Sequence, residues 1–138
     1  MNRVNVITLG VADIERSRAF YEGLGFKAAS FSNESFVAFQ TPGIVFCLFP
    51  VQALADDAKV KLEGSGTIAL AHNVAEKSAV QKVLDHAVSL GGHITKPAED
   101  VFWGGHSGYF QDPDGHLWEV AWNPHWPLDD NGLLKLPE

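Results

Sequence analysis

Polar and apolar residues alternate from Val4 to Val11, and that period of two predicts a strand with one buried face. A helix follows: Asp13 stands where an N-cap belongs, Ile14, Tyr21 and Leu24 fall on one side, and Gly23 and Gly25 supply the exit. Three β-rich runs come next, Phe26 to Phe31, Phe36 to Gln40 and Ile44 to Phe49, with Thr41-Pro42-Gly43 as a turn signal between the last two. Pro50 to Ser65 reads as a connector, with a short helical piece around Leu54 and Ala58 before a flexible Gly64-Ser65-Gly66. The pattern then starts again. Thr67 to Val74 predicts a strand, and Val80, Val83, Leu84, Ala87 and Leu90 recur at helical spacing before Gly91-Gly92. A strand begins near His93. Beyond the glycine-rich Trp103-Gly104-Gly105-His106, two strands, Ser107 to Gln111 and His116 to Trp122, flank the turn Asp112-Pro113-Asp114-Gly115. Asn123 to Glu138 reads as an irregular tail.

The second pass repeats the first in its residues as well as its pattern. Phe39-Gln40-Thr41-Pro42-Gly43 is answered by Phe110-Gln111-Asp112-Pro113-Asp114-Gly115, Gly10-Val11-Ala12-Asp13 by Asn73-Val74-Ala75-Glu76, and Leu24-Gly25 by Leu90-Gly91. The expected fold is therefore α+β: two tandem βαβββ modules forming curved mixed sheets around a concave cleft. Module one spans residues 1–50, the connector 51–65, module two 66–123 and the tail 124–138. Two equivalent strand faces offer a place to grip a ligand, and function is expected where the copies differ.

Composition narrows the classes. A chain of 138 residues, 46% hydrophobic and 20% charged, can bury a core without staples and is not disordered. No run approaches the roughly 20 apolar residues of a spanning helix, so no membrane partner is expected. The lone cysteine, Cys47, excludes an internal disulfide. With a start that lacks a secretory apolar region, it points to the cytoplasm. The net charge of −7 and the absence of a basic stripe argue against a nucleic-acid partner.

Two stretches carry a resemblance to a known family. They are Leu9-Gly10-Val11-Ala12-Asp13-Ile14-Glu15-Arg16-Ser17-Arg18-Ala19-Phe20-Tyr21 and Tyr109-Phe110-Gln111-Asp112-Pro113-Asp114-Gly115-His116-Leu117-Trp118-Glu119. At this separation they resemble the vicinal oxygen chelate superfamily: glyoxalase I, extradiol dioxygenases, fosfomycin-resistance thiol transferases and bleomycin-resistance proteins. The resemblance implies the glyoxalase-like fold and a homodimer. It also implies a divalent metal, held by histidine and glutamate, that orients two neighbouring substrate oxygens. Carried over position by position, the four ligand places hold Val6, Cys47, Thr67 or Ala69, and Glu119. Valine cannot ligate, and a cysteine in an apolar strand is usually a small core residue. Only Glu119 keeps a metal-binding type. A catalytic metal needs about three protein ligands, so no cofactor and no metal ligands are expected.

What remains is a pocket of mixed chemistry. Alternation aims Leu117, Glu119 and Ala121 at the concave side, with Ser107, Tyr109 and Gln111 beside them. Module one adds Thr8, Phe36, Ala38 and Cys47. His106, in the glycine-rich loop, and His125, in the tail, are candidates for the mouth of the cavity or for a surface or interface, and Trp103 and Trp126 for a lid or a dimer contact. The ligand-binding set is Thr8, Phe36, Cys47, Trp103, His106, Ser107, Tyr109 and Glu119, with Glu119 and Tyr109 as the catalytic candidates. Ser107 and Tyr109 also match positions that contact the phosphonate in the fosfomycin-resistance branch. Three functions stay open. One is a metal-free binder of a small organic molecule. Another is a lyase, isomerase or thiol transferase that uses Glu119 as general base or with a non-standard metal site. The last is a structural dimer.

Overall fold

The computed structural model describes residues 4–63, 68–134 and 136. The connector glycines of Gly64-Ser65-Gly66 and the candidate ligand Thr67 lie outside the described residues. The chain divides into two compact units, Met1–Gly66 and Thr67–Glu138.

In the first unit β1 (Val6–Val11) leads into α1 (Ile14–Gly23), β2 (Val37–Thr41), β3 (Ile44–Pro50) and α2 (Val51–Ala58). The α1 start is the expected one: the Asp13 side chain accepts a hydrogen bond from the Arg16 N–H at 3.0 Å, satisfying one orphan donor of the first turn. The sheet order is β1-β3-β2, with β1 parallel to β3 and β2 antiparallel to it. Thr8 and Ala38 therefore flank Cys47 in one row. Aromatic rings fill the space between α1 and this sheet. Tyr21, wholly buried, stands 4.9 Å from Phe46 and 5.6 Å from Phe26, and Phe39 stacks on Phe46 at 5.9 Å. α2 is the helical piece expected around Leu54.

The run from Phe26 to Phe31 differs from expectation. It contributes one bridge, Ala28 to Phe39, rather than a strand. Phe26 goes into the aromatic cluster instead. The Ser32 hydroxyl accepts a bond from the Ala38 N–H at 3.1 Å, so a side chain takes the place of a ladder partner.

The second unit is a full βαβββ module: β4 (Ala69–Asn73), α3 (Ala79–Ser89), β5 (His93–Asp100), β6 (His106–Gln111) and β7 (Leu117–Trp122). Its sheet order is β4-β7-β6-β5, with β4 parallel to β7 and the rest antiparallel. α3 lies over β5, β6 and β7 and buries Val80, Leu84 and Ala87. Val120 is fully buried, and Trp118, on the same side of β7, stacks flat on Phe110 at 6.2 Å. The opposite face of β7 carries Leu117, Glu119 and Ala121. The β6–β7 turn is tied by Asp112, whose carboxylate accepts from the N–H groups of Asp114 at 2.9 Å and His116 at 2.8 Å. His72 shares the side of Val120 on edge strand β4 and keeps solvent exposure, while desolvation by its neighbours pulls its pKa down.

The tail is more regular than its composition implies. Leu128 bridges Leu134, and the Asp129 carboxylate accepts from the N–H groups of Asn131 at 2.8 Å and Leu133 at 2.9 Å. Among the described residues no helix is long and apolar enough to cross a membrane.

The aromatic cluster makes a testable claim about stability. Phe39 is wholly buried among Tyr21, Phe26 and Phe46. Phe39→Ala is expected to cost about 3–5 kcal/mol in urea unfolding, because the rings around it cannot close the cavity.

Candidate functional site

Strand register builds the site. β7 sits between β4 and β6, and β6 between β7 and β5, so residues in register form rows across the sheet. One row reads Ala71, Glu119, Tyr109, Lys96, and the next reads Asn73, Ala121, Ser107, Glu99. Both rows lie on the face turned away from α3. Lys96 arrives there through an irregularity. The β5–β6 register shifts between Ile94 and Lys96, which sets Lys96 rather than Thr95 opposite Tyr109. The Lys96 ammonium lies 5.9 Å from the centre of the Tyr109 ring and pairs with Glu99 at 3.0 Å.

Tyr109 and Glu119 act as an electrostatic pair. Desolvation pushes the Tyr109 pKa up; the charge of Glu119 and a hydrogen bond to it push the same way, and Lys96 opposes them. The phenol is therefore a neutral donor at ordinary pH, with the Glu119 carboxylate as acceptor. Among the described residues Glu119 forms no ion pair.

A hairpin loop stands over these rows. The Val101 N–H donates to the Gly105 carbonyl at 3.1 Å, and the Gly104 N–H to the Val101 carbonyl at 3.0 Å. The Trp103 indole folds back over Gly105, where an added Cβ would come within 1.8 Å of the ring. Only glycine leaves room for that placement. Trp103 and Glu119 line two adjoining cavities. The first, of about 440 Å³, is bounded further by Asn73, Asn123, His125 and Trp126. The second, of about 350 Å³, reaches Lys96, Asp100, Ser107 and Tyr109. Such a site, concave and part aromatic with a few convergent polar groups, has the make-up of a small-molecule pocket. A larger depression of about 600 Å³ follows α2 in the first unit. It is open, its lining mixes aliphatic with charged side chains, and Lys61 and Glu63 pair with each other at 2.7 Å.

The sequence candidates divide accordingly. In the second unit Trp103, Ser107, Tyr109 and Glu119 come together, and His125 and Trp126 join them. His106 does not line either cavity; its Nδ1 bonds the Asp100 carboxylate at 2.9 Å. Lys77 holds the same oxygen at 2.6 Å, and the two partners pull the Asp100 pKa down. In the first unit Thr8 and Cys47 are register partners, and Phe36 packs edge-on against Phe49 at 6.0 Å. Cys47 is buried, which pushes its thiol pKa up. Lys96, Asn73 and Asn123 line the cavities without having been expected there. No motif marks them, and Lys96 reaches its place only through the shifted register.

A model of the Glyoxalase/Bleomycin resistance protein/Dioxygenase superfamily matches residues 3–120. The chain belongs to that superfamily. It is similar to a glyoxalase-related enzyme from Fulvimarina pelagi, 38% identical over the whole of both chains with a TM-score of 0.93. Two more distant structures share the fold. One is a glyoxalase/bleomycin resistance protein/dioxygenase family enzyme from Burkholderia phytofirmans PsJN, 19% identical over 87% of this chain and 98% of that one, TM-score 0.77. The other is a lactoylglutathione lyase from Agrobacterium tumefaciens, 20% identical over 94% and 99%, TM-score 0.70. No curated protein matches the sequence.

The divalent metal common in the superfamily meets a poor donor set here. Val6 has no lone pair, Cys47 is a buried thiol held protonated, and Glu119 is flanked in its row by Ala71 and Tyr109. Among the described residues no three of His, Cys, Asp or Glu gather as metal ligands would. These donors do not fit the metal.

Tyr109 gives the site a spectroscopic handle. Glu119→Gln removes a charge that raises the phenol pKa, so Tyr109 is expected to ionise at lower pH; Lys96→Met removes an opposing charge and should move it higher. An absorbance titration of tyrosinate measures both shifts, with Tyr21, buried in the other unit, as the reference ring.

Proposed function

We propose that the chain binds a small organic molecule in the groove of its second module, without the metal common in the superfamily. The observation that carries this is the row Ala71–Glu119–Tyr109–Lys96 opening onto two cavities that share Trp103 and Glu119. Trp103 supplies an apolar wall, and Glu119, Tyr109 and Ser107 supply orienting polar contacts. The bleomycin-resistance branch of the superfamily, which the sequence resembles, works as such a binder.

A second reading rests on the Tyr109–Glu119 pair itself. A neutral phenol next to a carboxylate is an acid and a base within one hydrogen bond, the minimum for proton transfer in a lyase or isomerase. The likeness to a glyoxalase-related enzyme at 38% identity supports it. A homodimer is in keeping with exposed apolar residues such as Phe102, Val6 and Ile68. The single cysteine suits a reducing cytoplasm.

A thermal-shift screen of amines, cationic aromatics, thiols and 2-oxo compounds tests the binder. A ligand of the native state raises the Tm by mass action, by about 2.7 kcal/mol of stability at a hundredfold excess over Kd. The shift is expected to survive a chelator and to vanish in Trp103→Ala and Glu119→Ala. Hits that persist unchanged in both variants would place binding elsewhere and sink the reading. Turnover of a hit, lost in Glu119→Gln and Tyr109→Phe alike, would favour the enzyme instead.

A further inference from the structure

The cavity bounded by Trp103, Trp126 and Glu119 has a charge and a wall chemistry that select a ligand class. Among the described residues no lysine or arginine lines it, and its titratable side chains are Glu119 and His125. In the adjoining cavity Glu99 pairs with Lys96 and Asp100 with Lys77 and His106, which leaves Glu119 as the carboxylate without an ion pair. The local field is therefore negative, in keeping with the net charge of −7.

Both tryptophans stand in turns whose backbone is hydrogen-bonded. Trp103 is folded over Gly105 by its hairpin. Trp126 closes a turn in which its N–H donates to the Asn123 carbonyl at 3.2 Å, while the His125 N–H donates to the Asn123 side chain at 2.9 Å. The two turns approach each other, since a Cβ on Gly104 would stand 3.4 Å from His125 Nε2. Trp126 is still 44% exposed, so its ring is available.

From two indoles on one wall, a carboxylate without an ion pair and a lining without lysine or arginine, we propose that this cavity is an aromatic cage for an organic cation, an alkylated ammonium. The ring faces attract the charge through their quadrupoles, and the attraction grows as the cation leaves water. Glu119 balances the charge, and the side chains of Asn73 and Asn123 are placed to bond a polar group on the same molecule. This inference rests on the small-molecule reading above and narrows it to one class.

The test uses choline and its neutral isostere 3,3-dimethylbutan-1-ol, which differ at one atom, with the indole N–H signals followed by NMR in the full chain. Choline is expected to shift the signals of Trp103 and Trp126, leave those of Trp118 and Trp122, and bind about tenfold or more tightly than the alcohol. Glu119→Gln and Trp126→Leu should each weaken choline about tenfold, while Trp126→Phe, which keeps a ring, should recover most of the loss. Equal binding of alcohol and choline, or choline binding indifferent to Glu119→Gln, overturns the cation assignment and leaves the small-molecule reading standing. No indole shift with choline up to about 50 mM overturns it too. Only the library screen failing as well would remove the groove as a binding site.

Discussion

β7 lies between β4 and β6, hydrogen-bonded on both edges, and this fixes which of its side chains reach the groove. Because side chains alternate across a sheet, a slip of one residue would turn Glu119 toward α3 and bring Val120 to the open face. The fully buried Val120 and the Trp118–Phe110 stack hold the register from the helix side. The Asp112 turn holds it from the end, closing the hairpin with bonds that only one alignment of β6 and β7 allows. The position of one carboxylate is thus set by apolar packing on the other side of the sheet.

Much of this was legible in the chain. The duplicated motif and the two helical patterns gave the two units, and the Asp13 cap and the Asp112-Pro113-Asp114-Gly115 turn fell where local chemistry placed them. Alternation counted back from Glu119 set Ser107, Tyr109 and Gln111 on its face, as the β6–β7 register has them. Misses came where non-local events intervened. A bulge in β5 reversed the parity that would have put Thr95 beside Tyr109, so Lys96 went unnoticed. Neighbouring Pro97, which lacks an N–H, is the kind of residue that breaks a ladder. Phe26 to Phe31 has strand composition, yet Phe26 is worth more inside the aromatic cluster and Ser32 satisfies the backbone of Ala38. In the tail, proline and glycine masked a turn that Asp129 organises by itself.

The two copies of the module show where selection for chemistry would act. The row Thr8–Cys47–Ala38 in the first unit answers Ala71–Glu119–Tyr109 in the second. The first row contains a buried thiol kept neutral by desolvation, so it behaves as packing. The second contains a carboxylate, a phenol and, one strand further, an ammonium. Both rows occupy equivalent places in the repeated pattern of strands. Their difference is therefore not demanded by the fold, since the first unit forms its sheet without any such charge.

The aromatics show a similar asymmetry. A tryptophan that serves only the core is best buried, as Trp118 is partly by its stack on Phe110. Trp126, left 44% exposed beside a half-buried carboxylate, forgoes hydrophobic burial that a tail of this length has residues to provide. Glu119, half-buried, has one phenol as its partner and no ion pair among the described residues. Each feature alone would be an ordinary surface accident. Together, in one module and around one cavity, they are costs that local folding does not require, and a bound molecule that covers the ring and answers the charge would offset both at once.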